Sequence, residues 1–408
     1  MLYRKQSDYD NFKCIADKCP MSCCIGWQIV IDDDSLNNYA KITQNDKSAF
    51  SSFKDQIIDG VDFKEGCFFQ NNRRCSMLQD DNLCSMQISL GEEALCTTCK
   101  QFPRHIEEFQ DIREYSLSLS CPEAINMLLT RSTPLYFIEE EDSIQDDPEE
   151  FDDYDLLLFD KLEFAREKLL GLASDPFIPF QKRLDLINEM AARLQICYDN
   201  GEFLEMDDIV YDYPKDDLSY LDEFNLPKYY QPSSSHNNDL DNTSSDNEKL
   251  WKYNLDALKV LSRLEKLETD WSETINDTIS FIEKSKDNFE KALYEGDVDS
   301  KAVLFENTAA ETDQNIYDNT KIFAYRQILT SLLFTYFCGA VYDGQIFARA
   351  CICTQTIRFI MMIYEAKENP KAGIDLRVLS KIVYLYSREI EHSDLNMNEL
   401  IEWFSSQI

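Results

Sequence analysis

The chain has 408 residues, and its 40 basic side chains against 76 acidic ones give a formal net charge of −36. A chain this negative repels a phosphate backbone and an anionic lipid surface, which disfavours nucleic-acid and membrane binding and favours cationic partners. The length allows two or three domains. The 10 glycines are few for folds that place glycine at tight turns, so the composition predicts a mainly α-helical protein.

The N-terminus has no apolar run of the kind that forms a signal peptide. The longest uncharged stretch lies between Arg326 and Asp343 and has 16 residues, whereas a membrane-spanning helix needs about 20. This stretch therefore predicts a buried helix. We expect a soluble, cytoplasmic protein with no membrane partner.

Ten of the 14 cysteines lie between Cys14 and Cys121. Disulfides persist in oxidising compartments, whereas a dense group of thiols in a reducing cytosol usually binds a soft metal or an iron–sulfur cluster. We therefore interpret these cysteines as metal ligands, with disulfides and unligated buried thiols as the alternatives.

The first four cysteines follow the spacing Cys14-x4-Cys19-x3-Cys23-Cys24. This spacing differs from the C-x3-C-x2-C loop of radical enzymes and from the paired C-x2-C of zinc ribbons. Side chains of adjacent residues tend to point apart, so Cys23 and Cys24 are compatible with two centres or with one cluster and an extra thiol. Six more follow: Cys67, Cys75, Cys84, Cys96, Cys99 and Cys121. Such a small, thiol-rich region would gain much of its stability from ligation.

Short motifs surround these cysteines, in this order: Cys23-Cys24-Ile25-Gly26-Trp27, Cys75-x-x-Leu78, Leu83-Cys84-Ser85, Leu90-Gly91-Glu92-Glu93, Cys99-x-x-Phe102-Pro103-Arg104 and Leu119-Ser120-Cys121-Pro122-Glu123-Ala124. Together they resemble the flagellin lysine-N-methylase family. They are also similar to the broader cysteine-rich zinc- or iron-chelating domain that shares the CC and C-x-x-F-P elements. Beyond these motifs, the likeness rests on chain length and helical character.

The resemblance implies a lysine N-methyltransferase that transfers a methyl group from S-adenosylmethionine to lysine side chains of flagellin or another lysine-bearing protein. It also implies a cysteine-ligated metal centre, taken as an iron–sulfur cluster of the 4Fe–4S type, with zinc as the alternative. The residues carried over as metal ligands are Cys14, Cys19, Cys23, Cys24, Cys75, Cys84, Cys99 and Cys121. Cys67 and Cys96 match no position of the pattern and are interpreted as packed thiols near the site.

The predicted fold class is therefore mainly α, with a small cysteine-rich metal-binding N-terminal domain packed on a larger all-helical C-terminal domain. Residues 139–155 carry 11 acidic side chains and no basic one, which is typical of a solvated linker. We place the cysteine-rich domain at 1–135, the acidic linker at 136–155 and the helical domain at 156–408. A docking strip for a lysine-rich substrate is the alternative interpretation of the acidic run.

Apolar residues recur at helical intervals over 155–197, 250–293 and 313–365. Pro176 and Pro179 separate two helices in the first stretch, and a break near Asp270 or Asp277 is expected in the second. Residues 230–248 are polar and low in complexity, which predicts a mobile loop. Asp343-Gly344 predicts the turn of a helical hairpin, and 374–390 and 398–408 predict two closing helices.

The nucleotide-cradling Gly-x-Gly-x-x-Gly run is missing from the sequence, which disfavours a Rossmann-type methyltransferase fold. Tyrosines and carboxylates within 313–365 suit a lysine amine and a sulfonium donor, although aromatic residues at helical spacing are usually core. Arg326 and Arg349 are candidates for the donor's carboxylate or for structural ion pairs, and His105 for a position beside the cysteines. The sequence assigns no catalytic or cofactor-binding residue. The alternative function is a non-enzymatic metal-binding or redox protein with a helical partner-docking domain.

Overall fold

The structure is a computed structural model that describes residues 1–44, 53–143, 155–213, 242–268, 270–295, 320–367 and 374–408. The chain forms two compact units. The first, the cysteine unit, comprises Met1–Thr130, Tyr136–Ile144 and Val383–Asp394. The second, the helical unit, comprises Arg131–Leu135, Gln145–Ile382 and Leu395–Ile408. The mainly α fold class is confirmed, and the cysteine unit gains a late segment that the predicted boundary at 135 does not include.

The cysteine unit is built from short elements. Its strands are β1 Leu2–Gln6, β2 Val61–Asp62, β3 Cys67–Phe68, β4 Gln70–Asn71, β5 Arg74–Cys75, β6 Arg104–Phe109, β7 Ile112–Leu117 and β8 Phe137–Glu141. Its helices are α1 Asp33–Gln44, α2 Lys54–Gly60, α3 Ser85–Leu90, α4 Thr97–Gln101 and α5 Pro122–Leu129. The loops and short helices between these elements carry most of the cysteines.

One four-stranded sheet has the order β6-β7-β1-β8. Strand β1 runs parallel to β7 and antiparallel to β8, while β6 and β7 form an antiparallel hairpin. The other two sheets are two-stranded ribbons, β2 with β3 and β4 with β5.

The start of the predicted acidic linker is a strand of this sheet, so that part of the linker assignment is wrong. Strand β8 pairs with β1, which carries the basic residues Arg4 and Lys5. The Arg4 guanidinium lies 2.8 Å from Glu139, and the Lys5 ammonium lies 3.5 Å from Glu140. Opposite charges across adjacent strands stabilise the pairing, which a charge run read by itself does not reveal. Residues 144–154 of the predicted linker lie outside the described residues.

The helical unit contains no strand in its described residues. Its helices are α6 Leu156–Ser174, α7 Phe180–Asn200, α8 Phe203–Asp212, α9 Asn242–Arg263, α10 Trp271–Glu295, α11 Thr320–Tyr336, α12 Ala340–Asp343, α13 Ile346–Lys367, α14 Leu376–Glu391 and α15 Asp394–Ser405. The break between α9 and α10 confirms the interruption near Asp270. Residues 230–241 of the predicted mobile loop lie outside the described residues, whereas α9 begins at Asn242. The last part of α14, from Val383 onward, belongs to the cysteine unit.

Helix α13 is the core element of the helical unit. Among the described helices it alone is long and apolar enough to cross a membrane, with a mean hydropathy of 1.5, but 89% of that window is buried inside the protein. It packs against α7, α10 and α11. Buried polar pairs fix its rotation, because the Thr354 hydroxyl donates to Asn188 at 2.7 Å and Gln355 donates to Asn254 at 2.8 Å. We interpret α13 as a buried core helix.

The predicted hairpin turn at Asp343-Gly344 is present. Helix α12 ends at Asp343, and Gly344 has a φ of +69°, a left-handed conformation that favours glycine. A Cβ at this position would lie 2.8 Å from the Tyr198 ring. The carbonyl of Gly344 accepts a hydrogen bond from Gln195 at 2.9 Å, which fixes the turn to α7.

Candidate metal centre

All 14 cysteines are free thiols. The four in the helical unit, Cys197, Cys338, Cys351 and Cys353, are all buried. The other ten lie in the cysteine unit, and nine of these fall into two groups by their surroundings. We call them the inner thiols (Cys24, Cys75, Cys84, Cys96 and Cys99) and the outer thiols (Cys14, Cys19, Cys23 and Cys121).

The inner thiols line one apolar cluster. Cys75 and Cys96 are core members of this cluster, which includes Ile29, Ile31 and Tyr39. Cys24, Cys84 and Cys99 pack against it from positions that are partly buried. The Cys75 N–H donates to the Cys24 carbonyl at 2.9 Å, so the backbone itself ties two distant parts of the chain together here.

None of the outer thiols belongs to this apolar cluster. Cys121 belongs to a second apolar cluster, with Tyr9 and Phe12. Cys14 is exposed, whereas Cys19 and Cys23 are partly buried. Burial raises the pKa of Cys121 to about 12, and the neighbouring Cys19 and Cys14 thiols add to this effect. These three sulfurs are therefore close enough to repel one another as thiolates, which is the arrangement that a bound cation would relieve.

Three cysteines of the cysteine unit directly precede a helix. Cys84 precedes α3, Cys96 precedes α4 and Cys121 precedes α5. Backbone N–H groups at a helix start favour a negative sulfur. For Cys84, burial raises the pKa, and the N–H groups of Gln87 and Met86 oppose that rise. The starts of these helices therefore place backbone N–H groups beside cysteine sulfurs, where they would stabilise the thiolate form.

Cys23 and Cys24 do not point apart as the sequence led us to expect. Their side chains are close enough to interact, and the interaction with Cys23 lowers the pKa of Cys24 to about 7. Arg388 and Arg74 also favour the Cys24 thiolate. The backbone around the pair is fixed as well, because the Trp27 indole N–H donates to the Cys23 carbonyl at 2.7 Å.

The two cysteines outside the predicted ligand set differ from each other. Cys67 is buried in β3 and accepts a hydrogen bond from the Gln28 amide at 2.8 Å, which fits a packed thiol. Cys96 is fully buried, its thiol donates to the Val30 carbonyl at 3.8 Å, and its interaction with the Cys99 side chain lowers its pKa. Cys96 therefore lies among the inner thiols rather than merely near them.

The spacing of the sulfurs can be compared with that around a single zinc. Four sulfurs at 2.3 Å from one zinc lie about 3.8 Å apart. Within the described residues, the three-donor group that closes to within 4.8 Å is Cys197, Glu202 and Glu205 in the helical unit, not any three thiols of the cysteine unit. Among the described residues of the cysteine unit, no three sulfurs therefore already have the spacing that a single zinc would hold.

The end of α14 and the residue that follows it supply groups that the sequence analysis missed. Arg388 is 1% exposed and donates to the Ile25 carbonyl, next to Cys24. It also lowers the pKa of Cys19, although burial keeps that pKa raised overall. Glu391 accepts a hydrogen bond from the Ser118 hydroxyl. A buried guanidinium beside several thiols is a counter-charge for an anionic centre.

His392 completes this set. Its Nε2 lies 3.1 Å from the Ser120 hydroxyl, and its ring stacks on Trp27 with centroids 4.7 Å apart. Burial, together with Arg388, lowers the pKa of His392 to about 3, so the imidazole is neutral at physiological pH. No local signal marks Arg388 or His392 in the sequence, because their partners lie more than 270 positions earlier. His105 lies in β6, 3.0 Å from Glu107; burial alone would lower its pKa, but Glu107 raises it.

The polar candidates of the helical unit are largely structural. Tyr325 is buried and stacks on Phe180 at 6.3 Å, as expected of core. Arg349 lies 2.7 Å from Asp343, which matches the structural ion-pair alternative. The Arg326 guanidinium lies over the Phe323 ring at 4.9 Å. Tyr317 and Asp318 lie outside the described residues.

Comparisons with known proteins agree on one family. Residues 166–408 match the FliB lysine N-methylase C-terminal domain. The flagellar biosynthetic protein FliU of Salmonella muenchen is 31% identical over 123 residues, which are 29% of this chain and 72% of FliU.

Two lysine-N-methylases, from Salmonella choleraesuis (strain SC-B67) and Salmonella typhimurium (strain LT2), are also 31% identical over 123 residues, which are 29% of this chain and 30% of each relative. The matched segment thus spans under a third of these two enzymes. No solved structure matches the chain. The domain match, residues 166–408, covers more than half of this chain. The chain therefore belongs to the FliB lysine N-methylase family.

Proposed function

We propose that this protein is an S-adenosylmethionine-dependent lysine N-methyltransferase that modifies flagellin in the cytoplasm and carries a cysteine-ligated iron–sulfur centre. The observation that carries the proposal is the match of residues 166–408 to the FliB lysine N-methylase C-terminal domain. The grouped thiols of the cysteine unit support the metal centre. The flagellar name of the relative FliU supports flagellin as the substrate.

The reaction sets clear demands on the protein. The neutral lysine amine attacks the sulfonium methyl, a nitrogen–carbon bond forms as the sulfur–carbon bond breaks, and S-adenosylhomocysteine leaves. The lysine must first lose a proton, and donor and acceptor must be held in line away from water. A net charge of −36 attracts a lysine-rich partner over long range.

The residues that would hold the centre are thiolates from both groups: Cys14, Cys19, Cys23, Cys24, Cys75, Cys84, Cys99 and Cys121. An iron–sulfur cluster supplies electron transfer or Lewis acidity when bound. Arg388 would offset the negative charge of the thiolates. The neutral His392 ring, stacked on Trp27, would add a polar group without adding charge.

The test is binding of S-adenosylmethionine to protein purified without oxygen and assayed for iron, sulfide and zinc. We expect brown protein with iron and sulfide that binds the donor in calorimetry. Cys24→Ser should lose metal, whereas Cys67→Ser, a matched buried thiol outside both groups, should keep it. Metal-loaded wild-type protein that binds no donor would contradict the proposal and favour a non-enzymatic metal-binding role. A colourless protein with zinc would contradict the iron–sulfur assignment alone.

A further inference from the structure

We propose that the outer edge of strand β8 is a docking site for an extended, lysine-bearing segment of the protein substrate, which joins the sheet as a further strand. The identity of this partner rests on the proposed function, whereas the site rests on the geometry of the sheet. In the described residues the sheet has the order β6-β7-β1-β8, so β8 has a neighbour on one side only. A strand at the end of a sheet presents a row of backbone donors and acceptors to another chain.

The register of β8 on β1 shows which backbone groups point outward. The Asp142 N–H donates to the Met1 carbonyl at 3.1 Å, and the Asp142 carbonyl accepts from the Met1 amine at 3.1 Å. Along antiparallel strands such bonded pairs alternate with non-bonded pairs, and the register places Glu139 and Glu141 in the non-bonded pairs. The N–H and C=O groups of these two residues therefore point away from β1, where a further strand would bind them.

The two edges of the sheet differ in exposure. The four residues of β8 after Phe137 are all exposed, and the side chains of Glu139 and Glu140 are 61% and 62% exposed. Strand β6, at the opposite edge, is half-buried along most of its length and begins with the basic residues Arg104 and His105. An incoming strand therefore has better access to β8 than to β6.

The charge of the β8 edge favours a basic occupant. The two basic residues of β1 are each shared between two carboxylates: Arg4 lies within 3.4 Å of Glu139 and Glu114, and Lys5 lies within 3.6 Å of Glu140 and Asp10. The edge thus keeps an excess of negative charge, which lysine side chains on an adjacent strand would offset. A second copy of this chain would instead place the same carboxylates opposite one another, and like charges on adjacent strands destabilise their pairing.

The first experiment separates backbone pairing from attraction by charge. The probe is a fluorescent synthetic peptide of alternating lysine and threonine, titrated by anisotropy into full-length wild type, Glu139→Gln and Glu139→Pro. Both variants remove the same charge, but only proline removes the outward N–H, and proline is tolerated where an edge N–H faces solvent. We expect Glu139→Pro to bind about two- to tenfold more weakly than Glu139→Gln, the factor that one backbone hydrogen bond supplies. Equal affinities would overturn the proposal, because charge alone would then hold the peptide.

Amide hydrogen exchange in wild-type protein covers the case in which Glu139→Pro does not fold. Saturating peptide should slow exchange at the Glu139 and Glu141 amides and leave the Glu140 amide, which already faces β1, unchanged. The same peptide with acetylated lysines, which keeps the backbone and loses the charges, should protect them much less. Bound peptide that protects neither Glu139 nor Glu141 would refute the docking site, as would a failure of the peptide to bind.

Unmodified flagellin connects the site with the reaction. Flagellin should protect the same two amides, and Glu139→Pro should raise the KM for flagellin relative to Glu139→Gln while kcat changes little. Protection of Glu139 and Glu141 without any methyl transfer would contradict the proposed function and leave the docking site intact. Methyl transfer with the same KM in both variants would contradict the docking site and leave the proposed function intact.

Discussion

Replacing Arg388 with methionine tests whether the C-terminal segment stabilises the metal centre. The guanidinium is 1% exposed, donates to the Ile25 carbonyl and favours the thiolate forms of Cys19 and Cys24. Metal ligands must be deprotonated, so removing this charge raises the thiol pKa values and weakens binding at neutral pH. Groups that orient or tune metal ligands typically change affinity about 10–100-fold when mutated. The lost hydrogen bond costs about 1.5–3 kcal/mol of folding free energy.

The assay is the rate at which chelator bleaches the anaerobic protein, followed by absorbance, with the urea midpoint measured on the same samples. Arg388→Met should bleach about 10–100-fold faster than wild type, and increasingly so as the pH falls. Arg388→Lys, which keeps the charge but not the planar fork, should lie between them. The matched control is Arg377→Met on the same helix, a side chain that is 91% exposed and pairs only locally with Asp375. Equal bleaching rates for Arg388→Met and Arg377→Met would refute the counter-charge role.

Three further predictions concern stability. Gly344→Ala forces alanine to a φ of +69° against the Tyr198 ring and should cost about 1–2 kcal/mol in urea unfolding, whereas Gly171→Ala, in open space on α6, should add up to about 1 kcal/mol; equal effects would contradict the turn geometry. The pKa of His392 is about 3 in the folded protein, so between pH 6.5 and 3 the unfolded chain binds a proton that the folded chain does not. The free energy of unfolding therefore decreases as the pH is lowered through this range, by up to about 1.4 kcal/mol per pH unit. His392→Gln should flatten that loss between pH 6.5 and 5, and an unchanged slope would argue against a buried neutral imidazole. Asp32 would have a raised pKa from burial alone, but N–H groups of Thr97 and Ser35, at 2.8 and 3.0 Å, lower it. An amide has one acceptor oxygen where the carboxylate uses two, so Asp32→Asn should cost about 1–2 kcal/mol at pH 7. The difference from wild type should shrink as acid protonates the wild-type carboxylate, and a difference that is constant with pH would count against this role.

Helices and thiol content could be predicted because both are local properties of the sequence. The 3.6-residue period marks α6, α7 and α11, and the break near Asp270 separates α9 from α10. Gly344 predicts the turn because glycine, which has no Cβ, adopts a left-handed backbone conformation at little energetic cost. These signals require no knowledge of distant contacts.

The remaining features depend on pairing between distant segments. Strand β8 is acidic and looks like a linker until β1 supplies Arg4 and Lys5 opposite it. Arg388 and His392 reach Ile25 and Ser120 across most of the chain, and only the fold brings them together. The backbone at Cys23 and Cys24 is likewise fixed by hydrogen bonds from the Trp27 indole and the Cys75 N–H, which residue spacing does not specify.

Methyl transfer to flagellin can be measured directly. Anaerobically purified protein is incubated with S-adenosylmethionine and unmodified flagellin, and the flagellin lysines are examined by mass spectrometry. We expect methyl groups on lysine side chains with wild-type protein and with Cys67→Ser, and none with metal-depleted Cys24→Ser. Folded, metal-loaded wild-type protein that leaves every flagellin lysine unmodified would contradict the proposed function.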